Sequence, residues 1–132
     1  MSTQDPVGLA LASIGAGSTT GASIMTAGVF ALRFMQASGN ASTEVGGSIL
    51  SATLFGGIVA AILAAWIATA PIADGWRRGV TAGISVLGAA LLAIGATMAD
   101  QVTGVIGVGA YGVVLVVAAV VAHRAARRLG RA

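Results

Sequence analysis

The sequence has no cysteine and no lysine, two prolines, one histidine and four acidic residues in 132 positions. Without cysteine there is no disulfide framework, no thiolate metal site and no thiol catalysis. Charged residues make up 8% of the chain, against about 25% in an ordinary soluble domain. Seven arginines and four carboxylates cannot clothe a globule of this length in water. Lipid is the solvent that the composition fits.

The positions of the few ionisable groups exclude more. Asp5, Glu44, Asp74 and Asp100 all fall at or outside the ends of the apolar stretches. Proton relays, ion sites and coupled transporters are usually marked by an ionisable residue within the membrane, and none is expected here. Small multidrug transporters are of similar size but depend on a glutamate in their first helix, which this chain lacks. The single histidine, His123, cannot form a two-histidine haem site within one copy. At the end of the last apolar stretch it is better read as complementing a helix C-terminus. No histidine is spaced to activate a serine, a threonine or Tyr111, so a serine-type hydrolase is not supported. No catalytic residue, metal site or cofactor is expected; a bound lipid is.

What the chain does have is apolar length. It is 57% hydrophobic with a mean hydropathy of +0.96, and 20 residues are glycine. Four apolar stretches stand out, at about 7–32, 45–70, 79–98 and 102–122, each near the roughly 20 residues that cross a hydrocarbon core. Hydrocarbon offers no partner to an unpaired backbone group, so each should be helical. The predicted architecture is an all-α integral membrane protein: four transmembrane helices with short loops in one domain, residues 1–132, ending in a basic tail at 123–132. The first stretch is the untidy one, with Gly17-Ser18-Thr19-Thr20-Gly21 at its centre. It is either one long helix from about Pro6, a residue suited to a first helical turn, or a span starting near Gly17 preceded by a separate apolar segment. The continuous helix is the preferred reading. Residues 1–6 lack the positive charge that opens a signal peptide, so this stretch is expected to stay in the mature protein.

Arginine placement orients the chain. Arg77 and Arg78 follow the second stretch, and Arg124, Arg127, Arg128 and Arg131 follow the fourth. With four crossings these six share one side and Arg33 takes the other, so the positive-inside rule puts both termini in the cytoplasm. Trp66 and Trp76 mark the cytoplasmic interface on this reading, and Phe30 and Phe34 the outer one. The tail arginines are spaced three, one and three, one face of a continuing helix. They suit anionic headgroups or an acidic partner subunit. Arg33 and Glu44 bracket the outer loop and would pair across it. Asn40-Ala-Ser42 matches a glycosylation acceptor, of consequence only in a eukaryote. Arginine without lysine, together with abundant alanine, glycine and valine, reflects GC-rich codons and points to a bacterial cytoplasmic membrane.

Small residues are the commonest local pattern. Gly17 with Gly21 and Gly79 with Gly83 are four-residue pairs, and Gly104, Gly107, Gly109 and Gly112 thin out the last stretch. Glycine lets helices approach closely where lipid supplies no hydrophobic drive. Gly17, Gly21, Gly79, Gly83, Gly104, Gly107 and Gly112 are therefore the candidate packing residues. Gly17–Ser23 also resembles Gly79–Ser85, and Phe55-Gly56 resembles Tyr111-Gly112, as a duplicated hairpin would; a chain so rich in small residues produces such matches by chance more readily. Two functions remain. The first is a non-catalytic subunit that packs with copies of itself or with larger membrane partners and stabilises the assembly. The alternative is a small pore, holin-like protein or transporter, with Ser18, Thr19, Thr20 and Tyr111 lining a path for a neutral solute.

Overall fold

The computed structural model describes residues 6–39, 43–72 and 74–131. Among the described residues the fold consists of three helices, α1 (Pro6–Ala37), α2 (Thr43–Ala68) and α3 (Gly75–Arg131). All three are long and apolar enough to cross a membrane, and the chain is built as a multi-pass membrane protein. Asp5 and Asn40-Ala41-Ser42 lie outside the described residues, and so does the side chain of Arg131.

The helix ends follow local chemistry. α1 starts at Pro6, whose missing N–H costs nothing in a first turn, and runs unbroken through Gly17–Gly21. It stops at Gly39, whose φ of 74° is a left-handed conformation that suits glycine. Pro71 follows α2 and has no N–H to continue the ladder. Asp74 then opens α3: its Oδ1 accepts a hydrogen bond from the Trp76 N–H at 3.0 Å, an N-cap that satisfies one of the four free donors of a helix start.

The four separate helices expected from hydropathy are corrected to three. The break expected between 98 and 102 does not form, and both later stretches belong to α3. The reason is local. Asp100 and Gln101 are polar but neither breaks a helix, and the Asp100 carboxylate is neutralised by Arg33 at 3.1 Å. The chain first leaves helical geometry at Gly104, with φ 73° and ψ −155°. That combination is open essentially to glycine alone. A straight helix of 57 residues would run about 85 Å, far beyond a bilayer of about 40–45 Å. Instead α3 folds back on itself at Gly104: the Tyr111 hydroxyl reaches the Leu92 carbonyl at 2.5 Å, although 19 residues separate them.

Expectation of a common side for both termini rested on the count of four. In the structure the fold at Gly104 brings the ends together instead. Val7 and Leu11 share a pocket wall with Ile72 and Trp76, and Gly130 lies against Pro71. This end of the bundle carries Arg77, Arg78, Arg124, Arg127 and Arg128. The opposite end holds Arg33, Asp100 and the stacked rings of Phe30 and Phe34, 6.2 Å apart.

α1 is the central element. Gly17 and Gly21 oppose Ala61 and Gly57 of α2, in antiparallel register, and oppose Ser85 and Ala89 of α3, in parallel register. On its remaining side α1 meets the returning arm of α3, Gly15 at Ala122 and Phe30 at Gly109. The interior is mostly small side chains: Ala16, Ala22, Ala61, Ala65, Ala89 and Ala96 are fully buried, with Leu9, Met25, Val108 and Leu115 the few larger residues among them. Most of the large apolar side chains point outward, Phe55 at 71% and Ile106 at 85% exposure among them. Water would penalise that inversion; lipid does not.

Two expected outcomes follow. A Cβ at Gly21 would lie 2.6 Å from the Gly57 carbonyl oxygen and 2.8 Å from Ala61 Cβ. Gly21→Leu should lower unfolding stability in detergent by about 3 kcal/mol, the upper range for overpacking. Gly47→Leu, where nothing lies within 4 Å, should change it little. Gly104→Ala should cost about 1–3 kcal/mol through backbone strain alone; an unchanged melting temperature would show that the fold does not depend on that conformation.

Candidate functional site

The hydroxyl cluster of α1 is divided among three directions. Ser18, almost fully buried, faces Gly88 of α3, and its hydroxyl donates to the Ser85 carbonyl at 3.2 Å. Thr19 donates back to the Gly15 carbonyl of its own helix at 2.6 Å. Thr20 Oγ1 lies 3.0 Å from His123 Nε2 on the returning arm of α3. Tyr111 is elsewhere: its ring covers Gly95 and its hydroxyl is committed to Leu92. Its neighbour Gly112 sits beside Thr26, six residues beyond Thr20 and so about 9 Å further along α1. Ser18, Thr19, Thr20 and Tyr111 are thus not brought into one lining. Each satisfies its own hydroxyl against a helix surface, as hydrocarbon demands.

The candidate packing glycines also separate into classes. Gly17 and Gly21 are close-approach points inside the bundle. Gly107 lies against the Ala99 carbonyl where α3 folds back, and Gly112 packs near the Thr26 methyl. Gly104 has open space around it and serves through its backbone conformation. Gly79 and Gly83 have nothing within 4 Å of a built Cβ and lie on an exposed face. They differ in this from Gly17 and Gly21, and Phe55 on the surface differs from Tyr111 in the fold, so the sequence repeat has no counterpart in packing.

The arginines play unlike parts. Arg78 is an internal anchor: its guanidinium lies 4.0 Å from the Trp66 ring centroid and donates through Nη2 to the Trp66 carbonyl at 2.7 Å. It caps the C-terminal end of α2 and stacks on its aromatic at once. Arg77 faces Asp74 at 3.7 Å with both side chains more than half exposed, a pair worth about 0–1 kcal/mol. Arg33 pairs with Asp100 and also donates to Gln36, so the expected partner Glu44 is displaced. Arg124, Arg127 and Arg128 are exposed on a helix that continues to residue 131, and no ion pair joins them to an acidic group among the described residues. Beside them a cleft of about 410 Å³ opens between the end of α2 and the end of α3, with His123 and Arg127 in its wall.

Sequence reasoning missed three of these roles. Asp74 before an apolar stretch is a recognisable N-cap signal. The Arg78–Trp66 stack and the Arg33–Asp100 pair join residues whose proximity depends on the register of the helices, which no local pattern carries. Among the described residues, no group of three or more histidines or carboxylates is placed to hold a metal ion. No known protein family, curated protein or solved structure matches the chain.

Arg78→Gln should remove the stack and weaken the cap, lowering unfolding stability by about 1–2 kcal/mol. Arg77→Gln should have less than half that effect. The comparison is read from thermal unfolding in mild detergent, with tryptophan emission reporting the loss of the cation over Trp66.

Proposed function

We propose that the chain is a non-catalytic structural subunit of a bacterial cytoplasmic membrane, packing with copies of itself or with larger membrane partners and stabilising their assembly. The arginine-bearing end faces the cytoplasm on this reading, in keeping with the positive-inside rule. The observation that carries the proposal is the Gly79–Gly83 pair. Gly17 and Gly21 are used up by contacts within the chain, whereas Gly79 and Gly83 sit on an outward face with open space above both. In lipid a small-residue pair at this spacing is a surface on which a second helix gains close packing. The flanking Val80, Ile84 and Leu87 are exposed and would form the walls of such a contact.

A neutral-solute pore or transporter draws less support. Its lining hydroxyls are engaged one by one with backbone or with His123, and Gly17 and Gly21 close the centre of the bundle.

The test is the particle mass in mild detergent or nanodiscs, together with the proteins that co-purify from native membranes. The wild-type chain should run as a defined oligomer or with stoichiometric partners. Gly79→Ile with Gly83→Ile should release a monomer whose melting temperature stays within a few degrees of wild type. A wild-type chain that is monomeric and free of associated protein would refute the proposal.

A further inference from the structure

We infer that the cleft at the arginine end is a discrete site for one anionic phospholipid, its phosphate held by Arg127 and His123 and an acyl chain lying along α2. Two features argue for a lipid. The cleft wall pairs a small polar region, His123 and Arg127, with apolar Ala64, Ile67, Ala68 and Pro71. Ile67 of that wall is 70% exposed, and Leu63, one helical turn earlier on α2, is 53% exposed, so an apolar strip of α2 runs on from the cleft. A free anion needs the first of these and gains nothing from the second. A phospholipid uses both, because its headgroup and acyl chains are joined in one molecule.

The charge balance supports an anionic occupant. Arg127 has no acidic partner among the described residues, and the neighbouring Arg124 and Arg128 add two more uncompensated charges on the same helix. The His123 ring is held in place by Thr20, whose Oγ1 lies 3.0 Å from Nε2. That contact fixes one ring nitrogen on α1 and leaves Nδ1 as the remaining polar atom of the ring. In this arrangement Thr20 acts as a positioning residue for the headgroup ligand.

A single site differs from diffuse attraction to a charged surface in being saturable and in depending on which arginine is removed. Arg128 carries the same charge one residue away but does not line the cleft. Native mass spectrometry of the purified full chain in mild detergent, titrated with phosphatidylglycerol, reads both properties. The wild type should retain one lipid per chain at saturation. Arg127→Gln should weaken that binding about tenfold, as expected for one lost charge-assisted phosphate contact, whereas Arg128→Gln should leave it within about twofold. Ala68→Leu, which fills the apolar part of the cleft without altering charge, should also weaken it. Inorganic phosphate at millimolar concentration should not displace the lipid.

Equal losses from Arg127→Gln and Arg128→Gln would overturn the inference in favour of diffuse binding. Displacement by inorganic phosphate would overturn it in favour of a free-anion site. Arg127 is exposed, so its substitution keeps the comparison decisive even if Ala68→Leu fails to fold. The result is independent of the oligomer test, since Gly79 and Gly83 do not line this cleft.

Discussion

The structure depends on backbone-to-backbone approach at the middle of α1. At Gly17 and Gly21 the carbonyls of Ala61 and Gly57 and the side chains of Ser85 and Ala89 occupy the space where a Cβ would stand. Lipid supplies no driving force for burying apolar surface between helices, so dispersion contacts at short range must hold them. At Gly17 and Gly21 the groups met are backbone carbonyls and methyl or hydroxymethyl side chains, and one turn further on Met25 fills the space over Gly57. The alanine-rich interior and the outward display of leucine, isoleucine, valine and phenylalanine are two sides of that short-range packing.

Most hydroxyls obey the matching constraint that hydrocarbon leaves no hydrogen bond unmade without cost; Ser13 and Thr26, both buried in α1, are exceptions with no hydrogen-bond partner among the described residues. Thr19, Ser23, Thr53, Thr69, Thr81 and Ser85 each donate to the carbonyl four residues earlier in their own helix. Ser18, Thr20 and Tyr111 instead reach across to a neighbouring segment. The first group makes a hydroxyl tolerable inside a bilayer, and the second fixes register between segments. Charge is treated in the same way. Arg33 with Asp100 ties α1 to α3 at one end, and Arg78 with Trp66 ties α3 to α2 at the other.

Much of this was legible in the sequence and some was not. The membrane class, the apolar stretches and the clustering of arginine follow from composition and position. Close packing at Gly17 and Gly21 is also implied by their spacing. The number of helices is not legible from hydropathy, because Asp100 and Gln101 look like a loop to any hydropathy scale. Whether a polar dipeptide breaks a helix depends on what meets it, and Arg33 meets Asp100 from another helix. The turning point moved to Gly104 for a conformational reason that hydropathy does not measure. Glycine pairs with the same spacing took opposite fates, Gly17–Gly21 inside and Gly79–Gly83 outside, because the pattern records what a face permits and not which face is used. The polar run Ser18–Thr20 reads as one site in the sequence, yet consecutive residues on a helix point about 100° apart and so meet different partners.

The back-bonded hydroxyls of α1 have a bearing on biogenesis. α1 is made first, yet the surfaces it packs against at Gly17 and Gly21 belong to residues 57–61 and 85–89. During synthesis it therefore waits in the bilayer with its glycine face uncovered. Thr19 and Ser23 need no neighbour to satisfy their hydroxyls, so the waiting helix carries part of its polarity already neutralised. Ser18 and Thr20, which in the folded chain bond across to α3, can make the same back-bond to their own helix until α3 arrives. The arrival of α3 exchanges those local bonds for inter-segment ones that set its register against α1.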